Sequence, residues 1–404
     1  MLSVVVMGPR PAHSQTENVL YSFCSLSRCS DGAYPTSSLT PDGAGNFYGT
    51  TIEGGVGCTG TIYGCGTVFE LSPNGSGGWY ETVLYSFTAG EDEITPRGPV
   101  IFDNAGNLYG TGVPNGQGIG FGVVFELTPV GTNWTENVLY KFTGSRDAYP
   151  DYNLIMDRAG NLYGTTQGEG AAGEVFELSP SAGGWTEQVI YNAGSGYAGL
   201  VMDGAGNIYG TEFLLSWAVF ELSPNGDGSW TPTVIYNFFE QGLNPQGALA
   251  LDQTGNIYGM TENGGKYGES PGYGIAYKLS LVTSGKKKGK WMEKVLHNFK
   301  GGKHDGYYPG AGIVLDPSGN IYGTTTYGGK DDDGIVFKLM PPTGKGNYKE
   351  KILLSFNGTD GKQPWSSLFL DQDNNIYGTT IYGGSGGNCG EGDFGCGVIF
   401  EIAQ

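Results

Sequence analysis

A short motif, Asn-Leu/Ile-Tyr-Gly-Thr with small variations, recurs seven times and constrains the fold of this chain more than any other feature. Successive copies are separated by 61, 54, 46, 49, 64 and 55 residues, so the repeating unit is about 55 residues long. Periods of roughly 20–50 residues are typical of solenoids, propellers and arrays. The copies begin at Asn46, Asn107, Asn161, Asn207, Asn256, Asn320 and Asn375.

Each repeat unit reads as four short strands joined by tight turns. Alternating polar and apolar residues at 293–299 are typical of a half-buried strand. The nearly continuous apolar run at 311–316 is typical of a strand that is buried on both faces. An Asp-x-x-Gly-Asn turn leads from there into the motif, and a Gly-Gly loop leads on to a fourth run at 334–339.

Two assignments of these strands to a blade agree with the chain order. We favour the one that puts the doubly apolar strand innermost, because only a strand beside the central channel is packed by neighbouring blades on both faces. One blade then comprises residues 313–316, 321–325, 334–339 and 349–356. The last blade lacks an outer strand, and residues 17–23 are predicted to supply it, which removes a free sheet edge. The sequence therefore predicts an all-β, seven-bladed β-propeller with four antiparallel strands per blade, as a single domain over residues 16–404.

The cysteines and the N-terminal segment both indicate export. Residues 1–15 are interpreted as a signal-peptide remnant, with a disordered tail as the alternative. No other stretch is long and apolar enough to span a membrane. An even number of closely spaced cysteines is typical of a disulfide set in a secreted protein. Zinc is disfavoured because no pair has the two-residue spacing of a zinc knuckle. The predicted pairs are Cys24/Cys29, Cys58/Cys65 and Cys389/Cys396.

The charge of the chain argues against two classes of partner. It carries 40 acidic and 21 basic residues, for a formal net charge of −19. Nucleic acids and anionic membrane surfaces are bound by basic faces, so neither is expected as a partner. The acidity favours solubility, with a cationic ligand as the alternative.

The ordered motifs resemble a known repeat family. Leu-Tyr-x-Phe, Asp-x-x-Gly-Asn-Leu/Ile-Tyr-Gly-Thr-Thr and Gly-x-Val-Phe-Glu/Lys-Leu are similar to the "GloVer" tandem repeats of exported bacterial proteins, over roughly residues 16–404. The Asp–Gly–Asn–Tyr hairpin also resembles the inner hairpin of NHL-type propellers. Some copies depart from the pattern, at Met260, Glu212 and Trp217-Ala218. The resemblance implies a secreted or surface-attached bacterial β-propeller, and it implies no catalytic residues.

The blade assignment places the Gly-Gly loops, the Tyr-Pro loops and all six cysteines on one face, with the cysteines at the junction of the first and last blades. Loops on a rigid scaffold often carry function. Aromatic rings beside carboxylates suit carbohydrate, because rings stack on C–H faces and polar groups bind hydroxyls. The alternative is that each Tyr-Pro pair wedges adjacent blades apart. The candidate ligand-binding residues are Tyr34, Tyr149, Tyr308, Tyr327, Trp365, Tyr382, Asp305 and Asp360.

These features predict a non-catalytic binding or adhesion module, located outside the cell or on its surface, with a glycan or another cell-surface component as partner. One alternative is a polysaccharide hydrolase or lyase that uses channel-mouth carboxylates, and another is a self-assembling structural protein. No catalytic residue is assigned, and the oligomeric state stays open. No cofactor or metal is predicted. Calcium at 331–333 or in the Asp-x-x-Gly-Asn turns is the weaker interpretation, because Asp and Asn also stabilise turns themselves.

Overall fold

The computed structural model describes residues 16–56, 65–88, 94–114, 120–144, 148–168, 173–192, 199–212, 217–238, 242–344, 346–387, 389 and 395–404. The predicted N-terminal signal or tail, residues 1–15, lies outside these ranges. The described part is built of β-strands, with single 3-10 turns at Ser27–Cys29 and Gly285–Lys287. None of its helical segments could cross a bilayer.

The strands form seven antiparallel blades of four strands each, which confirms the predicted fold class. We call the strands inner, second, third and outer, in chain order except in blade 7. Blade 1 comprises Thr40–Pro41, Phe47–Thr51, Thr67–Pro73 and Trp79–Ser86. Blade 2 comprises Ile101–Phe102, Leu108–Pro114, Val123–Val130 and Asn133–Lys141, with Ile94–Pro96 also paired to its second strand. Blade 3 comprises Ile155–Met156, Leu162–Thr165, Val175–Ser181 and Gly184–Tyr191, and blade 4 comprises Val201–Met202, Ile208–Glu212, Ala218–Pro224 and Trp230–Asn237.

Blades 5 to 7 complete the ring. Blade 5 comprises Ala250–Leu251, Ile257–Thr261, Ile275–Leu281 and Trp291–Asn298, and blade 6 comprises Val314–Leu315, Ile321–Thr325, Ile335–Met340 and Lys349–Ser355. Blade 7 takes Phe369–Leu370, Ile376–Thr380 and Val398–Ala403 from the C-terminal end of the chain, and its outer strand is Thr16–Ser22. The N-terminal strand therefore closes the ring as predicted.

The first threonine of the motif joins neighbouring blades near the inner strands. In blades 1, 2, 4 and 7 its hydroxyl donates a hydrogen bond to a carbonyl just before the inner strand of the next blade. Thr50 Oγ1 lies 3.1 Å from the carbonyl oxygen of Gly98, and Thr211 Oγ1 lies 2.8 Å from that of Pro245. The last of these bonds, from Thr379 to the carbonyl of Ser37 at 3.1 Å, joins blade 7 to blade 1.

The glycine and tyrosine of the motif are explained by packing within and between blades. Gly323 pairs with Phe337 across two strands, and a Cβ at Gly323 would lie 2.8 Å from Cζ of that ring. A side chain there would displace the phenylalanine from the blade core. Tyr322 packs with Leu368 and Phe400 of blade 7. The recurrence of Tyr-Gly in the motif thus reflects one packing arrangement repeated around the ring.

The Asp-x-x-Gly-Asn segments form hydrogen-bonded turns. In blade 6, Asp316 Oδ1 accepts hydrogen bonds from the backbone N–H groups of Ser318 and Asn320, both at 2.9 Å. Its Oδ2 accepts from Asn320 Nδ2 at 2.6 Å and from the Tyr322 hydroxyl at 3.1 Å. Desolvation by burial raises the pKa of Asp316, but these hydrogen bonds outweigh it and the pKa is lowered overall. Both carboxylate oxygens therefore already serve the turn.

Candidate functional site

The face that carries the cysteines is formed by two sets of loops that pair with each other. We call it the disulfide face; it comprises the loops between second and third strands and the segments that precede each inner strand. In blade 6, Gly306–Tyr307 pairs with Tyr327–Gly328, and in blade 5, Gly242–Leu243 pairs with Asn263–Gly264. Isolated bridges join Ala33 to Glu53 and Lys362 to Tyr382. These loops are therefore extensions of the blades.

Four of the cysteines meet where blades 1 and 7 join. Cys24–Cys29 and Cys389–Cys396 form disulfides, and the four sulfur atoms lie within 4.8 Å of one another. Cys65 is also disulfide-bonded, but its predicted partner Cys58 lies outside the described residues. Disulfides persist in oxidising compartments, so the chain is suited to an extracellular environment.

The tyrosine of each Tyr-Pro pair links two blades through its backbone. Tyr34, Tyr149 and Tyr308 have φ values of 57°, 59° and 55°, in the left-handed region that non-glycine residues seldom occupy. The N–H of Tyr149 donates to the carbonyl of Phe121 in the preceding blade at 2.6 Å. The N–H of Tyr308 donates to the carbonyl of Tyr273 at 3.2 Å. The Tyr-Pro segments thus have a structural role at the blade seams, and they act there through their backbone.

Four tyrosine rings gather on the disulfide face between blades 5 and 6. Tyr307 stacks on Tyr327 with ring centroids 5.3 Å apart and planes 24° apart. Tyr273 and Tyr308 lie 5.0 and 5.1 Å from the Tyr307 ring. The Tyr307 hydroxyl donates to Asp332 Oδ2 at 3.2 Å, and burial together with this carboxylate raises the pKa of Tyr307 to about 12. We call these four rings the tyrosine cluster; each ring remains partly exposed.

The eight predicted ligand-binding residues are spread over several seams. Tyr308, Tyr327 and Asp305 lie at the seam of blades 5 and 6, whereas Tyr34 and Tyr382 contact each other at the seam of blades 7 and 1, with centroids 5.4 Å apart. The remaining three lie elsewhere on the disulfide face: Tyr149 at the seam of blades 2 and 3, and Asp360 and the half-exposed Trp365 at that of blades 6 and 7.

Asp305 belongs to a cluster that the sequence did not reveal. His297, in the outer strand of blade 5, directs Nε2 at Asp305 Oδ1 and Oδ2, 3.3 and 3.2 Å away, and at Glu350 Oε2, 3.6 Å away in the outer strand of blade 6. The three side chains are 11%, 4% and 15% exposed. Burial and, to a smaller extent, the nearby Asp305 carboxylate raise the pKa of Glu350 to about 8.

Equivalent positions at two other seams also pair an aspartate with a glutamate. At the seam of blades 7 and 1, the Tyr21 hydroxyl donates to Asp31 Oδ2 at 2.8 Å, and desolvation and Asp31 raise the pKa of Glu81 to about 8. At the seam of blades 6 and 7, desolvation and Asp360 raise the pKa of Glu17 to about 7. The position of His297 is thus occupied by Tyr21 in one seam and by Leu354 in the other.

Sequence reasoning missed Glu350, Tyr273 and Tyr307 as site residues. The repeat itself contained a signal for Glu350. A glutamate recurs near the start of the outer strand, and an aspartate recurs ahead of the Tyr-Pro or Gln-Pro pair. Tyr273 lies close to Tyr307 only because blades 5 and 6 pack side by side.

The fold and the paired loops define the class of this protein: it is a seven-bladed β-propeller with its candidate sites on one loop face and at the blade seams. The chain belongs to the Gloeobacter/Verrucomicrobia repeat family, whose model matches residues 59–270 and 267–404. This agrees with the resemblance seen in the sequence. No protein with a curated description matches the chain.

Solved structures are similar to the chain in fold. A protein from Lactobacillus plantarum is 13% identical, with a TM-score of 0.55, over 89% of this chain and 99% of its own. A candidate 6-phosphogluconolactonase from Bacteroides uniformis is 14% identical, with a TM-score of 0.52, over 86% and 92%. A gluconolactonase from Xanthomonas campestris is 14% identical, with a TM-score of 0.44, over 79% and 88%. At these identities the first two similarities show the fold alone.

Proposed function

We propose that the protein is an extracellular, non-catalytic binding module that takes carbohydrate on the disulfide face, chiefly through the tyrosine cluster of blades 5 and 6. The observation that carries the proposal is the group of four partly exposed rings beside Asp332. The two disulfides support an extracellular location.

The geometry of the tyrosine cluster suits a sugar better than a flat aromatic ligand. The Tyr307 and Tyr327 rings are nearly parallel, whereas Tyr308 stands edge-on to Tyr327 at 77°. Rings in several orientations offer apolar faces to the C–H groups of successive sugar units, while hydroxyls and carboxylates bind their polar edges. Asp332 is exposed, accepts a hydrogen bond from the backbone of Gly328 at 2.9 Å, and is thereby held beside the rings.

The remaining predicted residues extend the proposed surface around the ring. Tyr34 and Tyr382 offer a second aromatic pair beside the disulfides, and Trp365, which is 46% exposed, offers a large ring at the next seam. Asp360 and Tyr149 complete the set and are proposed as peripheral contacts. The net charge of −19 favours neutral or amino-bearing glycans over anionic ones, because like charges repel.

Carbohydrate binding is tested with a glycan array, followed by titration calorimetry on the best glycan. Replacement of two stacked rings (Tyr307→Ala with Tyr327→Ala) is expected to weaken binding by about 10-fold or more, since each ring contact contributes on the order of 1 kcal/mol. Tyr80→Ala is the matched control, because Tyr80 is 65% exposed on an outer strand of blade 1. Unchanged affinity in the double variant would refute the proposed site, and release of reducing or unsaturated ends would refute its non-catalytic nature.

A further inference from the structure

The cluster of His297, Asp305 and Glu350 differs from the corresponding seam of blades 7 and 1 in one residue type. There, Tyr21 contacts Asp31, and Glu81 is the second acid. A protonated tyrosine hydroxyl is a poor metal ligand, whereas a neutral imidazole nitrogen is among the commonest. The substitution of histidine for tyrosine at this place therefore changes the chemistry that the two carboxylates can support.

The distances within the cluster fit ligands arranged around a small cation. Atoms bound to a tetrahedral metal at about 2.0–2.2 Å lie about 3.3–3.6 Å from each other. His297 Nε2 lies 3.2 and 3.3 Å from the two oxygens of Asp305 and 3.6 Å from Glu350 Oε2. A charge-assisted hydrogen bond between an imidazolium and a carboxylate is shorter, about 2.7–2.9 Å. The distances from His297 Nε2 to the carboxylate oxygens are thus longer than those of a charge-assisted hydrogen bond.

The surrounding structure holds Asp305 and His297 in place. Asp305 Oδ2 accepts a hydrogen bond from the backbone N–H of Lys300 at 3.0 Å, and its Oδ1 accepts from that of Gly306 at 2.7 Å. The His297 ring packs edge-on against Phe299, with centroids 4.8 Å apart. Outer partners of this kind orient metal ligands and strengthen binding.

We propose that His297, Asp305 and Glu350 form a binding site for a divalent transition-metal cation, with zinc as the best match. One imidazole nitrogen and two carboxylates are ligand types that zinc accepts, whereas calcium and magnesium prefer oxygen alone. The ion would join the outer strands of blades 5 and 6 to the segment between them.

The site is tested by titrating the metal-free, disulfide-intact protein with ZnCl₂ in a calorimeter and counting bound zinc after dialysis. Titration of free thiols with a chromogenic disulfide reagent is run in parallel, because reduced cysteines also bind zinc. We expect one bound zinc per chain and a rise in the thermal unfolding temperature on its addition. Specific zinc sites in proteins have dissociation constants far below about 100 µM. Absence of binding at zinc concentrations up to that value would therefore overturn the proposal.

His297→Tyr is the decisive variant, because it recreates the residue that the seam of blades 7 and 1 carries naturally and so should fold. Loss of a residue that only orients a metal ligand lowers metal affinity roughly 10- to 100-fold. Because His297→Tyr removes a ligand itself, we expect a larger loss of zinc affinity. Glu350→Gln keeps the side-chain shape, removes the charge, and should also lower affinity. His304→Ala is the matched control, since His304 is exposed in the same loop, and it should bind zinc like the parent protein. Undiminished binding by both His297→Tyr and Glu350→Gln would place the zinc elsewhere and overturn the site. Carbohydrate binding plays no part in these measurements, so the two proposals fail or succeed independently.

Discussion

Glu81 offers a direct test of the electrostatics at the blade seams. It lies in the outer strand of blade 1, where desolvation and, to a smaller extent, Asp31 raise its pKa from 4.5 to about 8. The unfolded chain titrates this carboxyl near 4.5, so the native state binds one more proton than the unfolded state between these two pH values. The free energy of unfolding is therefore expected to fall as the pH rises from about 5 to about 8.

The size of the effect follows from the same two pKa values. A rise from 4.5 to about 8 corresponds to about 4–5 kcal/mol at about 1.4 kcal/mol per pH unit. Glu81 is partly exposed, and water and relaxation reduce such values, so we expect about 1–3 kcal/mol in practice. Glu81→Gln cannot ionise and lacks this contribution. The variant should gain stability relative to the parent protein by that amount between pH 5 and pH 9.

The assay is chemical denaturation of the two proteins at pH 5, 7 and 9 with the disulfides intact. The difference between them isolates Glu81, because other titrating groups such as Glu17 contribute equally to both. Glu269→Gln, at an exposed position, is the control and should follow the parent protein at every pH. Parallel stability profiles for the parent protein and Glu81→Gln would show that the seam does not hold this carboxyl in its protonated form.

Two further predictions concern the fold. Gly323→Ala should destabilise the protein by about 1–3 kcal/mol, because the new Cβ would lie 2.8 Å from the Phe337 ring; Gly204→Ala, whose Cβ would meet nothing within 4 Å, is the control, and equal unfolding temperatures for the two variants would contradict the packing argument. Deletion of residues 16–22 should leave the third strand of blade 7 unpaired and promote aggregation, which light scattering would detect. A deletion variant that stays monomeric with an unchanged unfolding temperature would show that closure by this strand is dispensable.

The fold could be predicted because the residues of the repeated motif have the same structural roles in every blade. Asp316 closes a turn, Gly323 admits the ring of Phe337, and Tyr322 packs on the next blade. Each of these structural roles requires one residue type at a fixed position in the repeat unit. The order of the strands and the closure of the ring by the N-terminal strand could therefore be predicted from the spacing of the motif. The position of the Cys24–Cys29 and Cys389–Cys396 pairs at one seam followed from the same order, whereas Cys65 packs with Ile94 and Val100 of the neighbouring blade.

The candidate sites were less predictable because they form between blades. His297 and Glu350 are 53 positions apart, and their contact depends on how blade 5 packs against blade 6. Tyr308 was identified from its Tyr-Pro pair, but Tyr273 reaches the same cluster from the preceding blade. A sequence pattern shows which residues recur in every repeat unit. These sites depend instead on residues that differ between two adjacent units and meet only in the folded ring.

The closure of the ring also determines how the protein should respond to a pulling force. Thr16 lies opposite Ala403 in an antiparallel pair, so the two ends of the propeller leave from the same corner of blade 7. Tension between them would load the hydrogen bonds of this pair one after another, as in opening a zipper, and not all together as in shear. Both described disulfides link cysteines on the same side of the closure, Cys24 to Cys29 and Cys389 to Cys396, so neither bridges it. Blade 7 is therefore the expected point of mechanical opening.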